Sequence, residues 1–482
     1  MADRVMWGGE PYTGLTRDFD PDWLLTPRQL ELRQRLIDIC HDTIRPLAAR
    51  NDVELTFPRE SLEALAPDGF LGLMLPEEWG GLGQNHLFYN VVVETLARFG
   101  DASCAMCYVM HIGAVEAIRL RATPYLIDRY LKRVREGLIG TLSYSDPETG
   151  SHFWYPMASG TRRVDGGYEV YKHASWTTSA GFADFYVLQT TSPDFKAYDD
   201  LSVFVVDKED VRAEPRKWDA LGLRGNQSGE LWVEWKQVPP EQVIGPIGDG
   251  AASNDESVDP KFLIGSSGCW NGIALGALDI AKAHVMRKTH KDVGLRVGDY
   301  PTIQDYFGEC ITETNRARAL CYMVAQAMDQ ASDDGQKVLQ PGEFACADYL
   351  LWLWQVKFSA AKNVAWVVDK MLHATGGTGF KKELGLERYL RDGKAGWVMG
   401  PTNEVLRQFI GKTALLGMES LDYWNQVINE RALHNELKKL SPEEKRALAE
   451  RLVAEAEQAE KAPPMSPPSA VPSKETAGVA TT

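Results

Sequence analysis

Apolar and polar positions along the chain follow three successive regimes. Over residues 27–139 apolar residues recur at helical spacing: Leu32, Leu36, Ile39 and Cys40 precede Pro46. Further helical stretches cover residues 91–97 and, mixed with charge, 125–134. A Gly-rich turn, Pro76-Glu-Glu-Trp-Gly-Gly-Leu-Gly83, interrupts them. From Gly140 to about Ile247 the period falls to two. Segments at 168–171, 184–188, 201–206 and 231–235 are rich in β-branched and aromatic residues and bounded by Gly, Pro and Asp, which predicts a β-domain. Residues 251–259 are polar and read as a loop. The helical period returns from Phe262, with stretches near 262–290, 302–333, 343–374 and 402–434. A charged helix over 441–461 opens with Ser-Pro-Glu-Glu: an N-cap serine, proline at the first position, acids in the first turn. Residues 463–482 are rich in Pro, Ser, Thr and Ala, a composition that predicts disorder.

The pattern predicts an α+β chain. An N-terminal extension (1–26) precedes a helical domain (27–139), a central β-domain (140–260), a helical bundle (261–435) and a charged helix with a tail (436–482). Trp352, Trp354 and Trp366 read as a buried bundle face, and His111 as a packed or hydrogen-bonded helix histidine.

Composition narrows the function classes. A chain of 482 residues exceeds one compact core, so two or three packed units are expected. The net charge of −15 disfavours a nucleic-acid partner and requires any anion site to be local. No apolar run reaches the roughly 18–20 residues that span a bilayer. The first residues show neither a secretory h-region nor an Arg/Ser-rich leader. Seven scattered cysteines, an odd number, point to a reducing compartment, and the cytoplasm is the expectation. Cys104 and Cys107 form a C-x-x-C in an apolar stretch and read as core residues. No His/Cys/carboxylate cluster has metal spacing, and neither a Walker loop nor G-x-G-x-x-G after a strand occurs.

Four motifs sharpen the reading. They are Pro76-Glu-Glu-Trp-Gly-Gly-Leu-Gly83, Ser145-Asp-Pro-Glu-Thr-Gly-Ser151, Ser175-Trp-Thr-Thr178, and the run Gly376-Gly-Thr-Gly379 … Glu387-Arg-Tyr-Leu-Arg-Asp392 … Gly400-Pro-Thr-Asn-Glu-Val-Leu-Arg407. In this order and spacing, over about residues 30–425, the chain resembles the acyl-CoA dehydrogenase superfamily. The resemblance implies an α-domain, a central β-domain and a C-terminal four-helix bundle, assembled as a dimer or tetramer. It implies FAD as cofactor, an acyl-CoA or related thioester as substrate, and an electron-transfer flavoprotein or other acceptor as partner. By resemblance, Ser145 offers its hydroxyl to the flavin, Ser151 sits near the cofactor, Trp176 packs on the ring and Thr178 bonds near its reactive edge. Gly376 and Gly377 let backbone approach the adenosine half, and Thr402, Glu404 and Gln304 line the cofactor. Arg287 occupies the family's R-K-T position for the flavin pyrophosphate, whereas a count back from Gln304 puts His290 there.

One position departs from the family. Proton abstraction next to a thioester needs a positioned base, usually a carboxylate. Counts from Arg391-Asp392 and from Arg407 both place the family's glutamate at Gly400. The family's alternative place, the start of the first C-terminal helix, falls on Lys261 or Phe262. Asp259, just upstream of Pro260, is the nearest carboxylate, and Lys261 the nearest cation. Four readings stay open: Asp259 as a displaced base; a base from another residue or subunit; a flavin reaction needing none, such as oxygenation or elimination of a sulfur group; or binding of flavin and acyl-CoA without turnover. The first is the candidate catalytic residue.

Overall fold

A computed structural model describes residues 22–150, 156–193, 200–214, 218–337, 339, 343–417, 430 and 433–461. The first 21 residues, Ser151 and the tail from 462 lie outside the described residues. The chain divides into one unit over residues 1–423 and a second over 424–482.

Helix α1 (Pro27–Ile39) starts at a reciprocal cap. The Thr26 hydroxyl accepts the Gln29 N–H, and the Gln29 side chain accepts the Thr26 N–H. Helices α2 (Arg45–Glu54), α3 (His86–Thr95) and α4 (Ala102–Arg119) follow. Asn85 caps α3, and the Asp101 carboxylate caps α4 by accepting the Ser103 and Cys104 N–H groups. The turn at residues 76–83 folds tightly because Gly81 has no Cβ: one placed there would lie 2.1 Å from the Leu75 carbonyl oxygen.

The β-domain is two four-stranded sheets. One has the order β1 (Gly140–Ser143), β4 (Phe185–Thr191), β5 (Leu201–Asp207), β8 (Val243–Ile244); the other β2 (Ser159–Val164), β3 (Gly167–Thr177), β7 (Gly229–Val238), β6 (Arg212–Ala213). Strand β1 pairs parallel to β4; the other pairs are antiparallel. Period-2 alternation splits the first sheet's apolar residues between two cores. Phe185, Val187, Val203 and Val205 join the helical core. Tyr186, Leu188, Phe204 and Val206 meet Val170, Ala174, Leu231 and Val233 of the second sheet.

Among the described residues, the long C-terminal helices of the first unit are α5 (Asp259–Arg287), α6 (Pro301–Ala331), α7 (Leu350–Gly379), α8 (Leu386–Val398) and α9 (Asn403–Leu416). Helix α5 is central and touches α3, α4, α6, α7 and α8. A buried ion pair crosses the packing. Arg318 of α6 donates to both Glu94 oxygens of α3 at 2.9 and 2.8 Å, and Tyr322 adds a third donor at 2.8 Å. Burial pushes the Glu94 carboxyl up, but Arg318 and Tyr322 outweigh it and hold it below its ordinary value. In the second unit, α10 (Pro442–Lys461) begins as expected: the Ser441 hydroxyl accepts the Glu444 N–H, and the Glu444 carboxylate accepts the Ser441 N–H.

Two expectations fail. Residues 251–259 are not a loop: Gly250–Ser253 is α-helical and Asn254–Val258 a π-turn leading into α5. The buried Glu256 carboxylate in this stretch is matched by distant partners. Glu256 accepts the N–H groups of Ala345, Cys346 and Ala347 at 3.0, 2.8 and 3.1 Å. Nor are the bundle tryptophans a buried face: Trp352 is 45% and Trp366 39% exposed, and Trp354 is half-buried. Other readings hold. His111 is buried between the Leu71 carbonyl, 2.8 Å from Nε2, and the Gly140 N–H, 3.0 Å from Nδ1, and burial lowers its pKa to about 4. All seven cysteines are buried free thiols.

Candidate active site

The site grows from the ends of β1 and β3. The Ser145 hydroxyl accepts the Trp176 N–H and donates to the Trp176 carbonyl, both at 2.8 Å. Behind it, Ser143 Oγ lies 3.0 Å from Thr177 Oγ1, and the Thr141 hydroxyl donates to the Thr178 carbonyl at 2.7 Å. Thr178 Oγ1 lies 2.9 Å from Ser228 Oγ. This lacing fixes the β3 end yet leaves the Trp176 side chain 60% exposed, edge-on to Trp218 at 5.3 Å between ring centres. Ser145, Trp176 and Thr178 are thus brought together. Ser145 has a single hydroxyl proton, and here it is used on Trp176, so the free face of its oxygen is an acceptor. Ser151 lies outside the described residues.

The Glu-Arg-x-x-Arg-Asp motif braces this region from α8. Trp218 Nε1 donates to the Leu223 carbonyl at 3.0 Å, and the Leu223 N–H donates to Asp392 Oδ1 at 2.7 Å. Asp392 is buried, and that burial, opposed by the Leu223 N–H and Arg388, pushes its carboxyl up to about 7.

Asp259 begins α5, close enough for its charge to act on Tyr144, the residue between β1 and Ser145. It keeps some accessible surface, but surrounding protein, with Asp255 nearby, pushes its carboxyl well above the usual carboxylate range. Asp255 keeps its side chain exposed, yet the protein packed around it and the Glu256 charge raise it to about 6. Burial, then the Asp259 charge, raises the Tyr144 phenol as well, and its hydroxyl is buried without a hydrogen-bond partner among the described residues. Lys261 does not join this group. It turns the other way, with Nζ 3.8 Å from Cys346 Sγ and 4.0 Å from Glu116, because α5 carries residues two apart on different faces. Phe262 packs half-buried against the core.

Gly400 sits in a segment held from beneath. Lys357 Nζ, buried, donates among the carbonyls of Gly396, Met399 and Pro401 and Asn403 Oδ1, at 2.8, 3.1, 2.9 and 3.0 Å. A Cβ at Gly400 would meet nothing within 4 Å. The remaining candidates lie on the C-terminal helices. Gly376 kinks α7 with φ 57° and ψ −144°, a backbone open to glycine, and a Cβ at Gly376 or Gly377 would enter open space. Thr402 caps α9, its hydroxyl accepting the Val405 N–H, and Glu404 pairs with Arg407. Arg287 is exposed in the last turn of α5. Gln304 is exposed and donates to the Gly298 carbonyl at 3.1 Å, and His290 Nδ1 lies 2.9 Å from the Tyr300 hydroxyl. Among the described residues, no hydrogen bond or ion pair joins this second group to Ser145, Trp176 and Thr178.

Sequence reasoning missed Tyr144 and Lys357. Tyr144 carried only its adjacency to the Ser145 motif as a signal. Lys357 carried a better one: it is a lysine inside the apolar stretch Trp352-Leu-Trp-Gln-Val-Lys-Phe, where an unpartnered ammonium would be costly.

An α-domain, paired sheets and a C-terminal helical bundle, with an open aromatic face at a strand end, define a class of flavoprotein-like architecture. Residues 26–137 match the family model for the acyl-CoA dehydrogenase N-terminal domain, and residues 264–415 that for the C-terminal domain. The chain belongs to the acyl-CoA dehydrogenase superfamily. Mitochondrial isovaleryl-CoA dehydrogenase of Solanum tuberosum is 26% identical over 399 residues, 82% of this chain and 92% of that protein. A probable acyl-CoA dehydrogenase (FadE25) of Mycobacterium tuberculosis is 27% identical over 421 residues, 85% of this chain and 100% of that protein. Among solved structures, a glutaryl-coenzyme A dehydrogenase in complex with glutaryl-CoA superposes with a TM-score of 0.74 at 22% identity, covering 82% of this chain and 97% of that one. The prolyl acyl carrier protein oxidase AnaB does so at 0.71 and 20% identity, covering 81% and 100%. No described helix is long and apolar enough to cross a membrane.

Proposed function

We propose that this chain is an FAD-dependent oxidoreductase that oxidises the CH–CH bond of an acyl thioester, with Asp259 as the base. Superfamily membership supports the reaction type. The observation that carries the base assignment is Tyr144, one residue from Ser145: its hydroxyl is buried without a partner among the described residues, and the Asp259 charge reaches it. The residues fit a flavin: Trp176 presents an exposed aromatic face where its strand is otherwise pinned. Open space at Gly376, Gly377 and Gly400 leaves room for backbone to approach a ligand. Bound FAD would supply the hydride acceptor.

By the family resemblance, Trp176 would pack on the ring, Thr178 would border its reactive edge and Ser145 would line the same end; Ser151, outside the described residues, is a further candidate by resemblance. Gly376, Gly377, Thr402, Glu404 and Gln304 would line the remainder of the cofactor, and Arg287 would take the pyrophosphate with its planar fork. Asp259 removes the α-proton, and its raised pKa makes it a stronger base once ionised. CoA is the proposed carrier, and an electron-transfer flavoprotein or other acceptor takes the electrons. The seven buried thiols suit a cytoplasmic setting. A dimer or tetramer is proposed because Phe380, Val398, Leu415 and Leu416 leave large apolar side chains exposed on the C-terminal helices.

Anaerobic addition of a panel of acyl-CoAs to the purified yellow protein tests the reaction: the flavin should bleach. Asp259→Asn should bind flavin but bleach far more slowly, and full bleaching by this variant would remove Asp259 from the role. Gly400, which leaves the usual base position without a carboxylate, favours a second reading, oxygenation on the same scaffold. In that case acyl-CoA would cause no bleaching, and product would require NAD(P)H, O₂ and a flavin reductase.

A further inference from the structure

Away from the flavin face, five elements converge on Cys346. It lies in the turn before α7 and is 2% exposed. His86, the first residue of α3, places Nε2 3.6 Å from Cys346 Sγ. The other ring nitrogen, Nδ1, is 2.7 Å from Asp329 Oδ1 of α6. Asp329 is held in turn, accepting the backbone N–H groups of His86 and Leu87 at 2.7 and 3.1 Å. The sequence Cys–His–Asp is therefore an oriented one: the carboxylate fixes the imidazole, and the imidazole faces the sulfur. From α5, Lys261 Nζ stands 3.8 Å from the sulfur. Glu116 and Arg119 of α4, paired with each other at 2.8 and 2.9 Å, complete the charged wall together with Glu256. Lys337 also lines the cavity.

Burial pushes the Cys346 thiol up, but Lys261 and His86 outweigh it and bring it below its ordinary value. The other six thiols go the opposite way: Cys40, Cys107, Cys310 and Cys321 rise to about 12, and burial pushes Cys104 and Cys269 well above the ordinary thiol value.

The space beside the sulfur limits what can react there. The cavity lined by His86, Arg119, Glu256, Lys261 and Cys346 measures about 10 Å³, room for about one water. The backbone N–H groups of Ala345, Cys346 and Ala347, which would stabilise an oxyanion in acyl transfer, all donate to Glu256. A thioester neither fits nor finds an oxyanion site. Among electrophiles that oxidise a thiolate, hydrogen peroxide, one oxygen longer than water, comes nearest to this volume.

We propose that Cys346 is a peroxide-reactive thiolate, oriented by the His86–Asp329 pair and Lys261, that hydrogen peroxide oxidises to sulfenic acid. The sulfur attacks one peroxide oxygen; the S–O bond forms as the O–O bond breaks, and the sulfur supplies the electron pair. The departing hydroxide takes the imidazolium proton of His86 and leaves as water, so that thiolate, imidazolium and peroxide become sulfenic acid, neutral imidazole and water.

The full-length protein is treated with limiting hydrogen peroxide in the presence of dimedone and its peptides are weighed. Expected is an adduct at Cys346 before any other cysteine, or a gain of two or three oxygens there if dimedone cannot enter. Between pH 8 and 6 the rate should fall by clearly less than the roughly tenfold per pH unit by which an ordinary thiol slows. Cys346→Ser should abolish the modification, and Lys261→Met should slow it at least tenfold at pH 6. The wild-type pH profile decides the matter even if a variant does not fold. Modification of other cysteines first, no oxygen gain at Cys346, or a tenfold fall per pH unit would overturn the proposal.

Discussion

Arg391 holds Asp52 with both terminal nitrogens, Nη1 to Oδ1 at 2.8 Å and Nη2 to Oδ2 at 2.7 Å, tying α8 to α2 across most of the chain. Its Nε reaches Glu387 at 2.6 Å, within the same motif. The pair is mostly shielded from water, so it lies between a surface bridge and a buried one. Arg391→Lys keeps the charge but loses the fork. It should lower unfolding free energy by about 1–2 kcal/mol, read by urea denaturation. A double-mutant cycle with Asp52→Asn should show that most of this loss is shared between the two residues.

Asp392 should give a pH signature to stability. Its folded carboxyl titrates near 7, above the unfolded value, so the folded state keeps a proton that the unfolded chain releases. Its contribution is therefore fully present below about pH 4, is lost as pH climbs toward 7, and stays constant above that. Asp392→Asn keeps an oxygen for the Leu223 N–H but cannot ionise. Relative to wild type, the variant should gain stability progressively between those pH values, measured by denaturation at fixed pH steps.

Lys357 supports the Gly400 segment from a buried position. Lys357→Met leaves the Gly396 and Pro401 carbonyls without this donor, at a cost of at least about 2 kcal/mol. Because the segment borders the proposed substrate site, KM for an acyl-CoA should rise more than kcat falls. Steady-state kinetics and a thermal melt read the two effects separately.

Asp259→Asn should lower the rate of α-proton abstraction by about 100- to 10,000-fold, while flavin absorbance stays unchanged. In the wild type the carboxylate becomes more populated as pH passes its raised pKa, so the rate should climb with pH above the ordinary carboxylate range. The variant should lose that rise. Stopped-flow bleaching over a pH series measures both.

Gly400→Glu tests whether this position faces the substrate. The open space at its Cβ admits the side chain, and the following proline restricts the residue to extended backbone that glutamate tolerates. In an Asp259→Asn background the substitution should restore α-proton exchange of an acyl-CoA in D₂O by at least about tenfold. No gain in a folded, yellow double variant would place the substrate elsewhere.

Much of the architecture was written in local patterns. Period-2 segments became β3, β4, β5 and β7, and the helix starting at Pro442 took the predicted cap from Ser441. Motif spacing brought Ser145, Trp176 and Thr178 to one strand end. Such features depend on neighbours a few residues away, so linear sequence carries them.

Long-range partners decided the rest. The polar stretch at 251–259 looks like a loop until Ala345, Cys346 and Ala347 supply the N–H groups that make a buried Glu256 tolerable. Lys261, by sequence the nearest cation to the empty base position, is turned by packing to Cys346, and the reach of the Asp259 charge to Tyr144 follows only from the folded chain. By itself the sequence determined the order of helices and strands, the motif strand end and the absence of a carboxylate at Gly400. Only the tertiary structure decided which buried charges meet, because a polar group's cost depends on partners whose distance along the chain leaves no periodic trace.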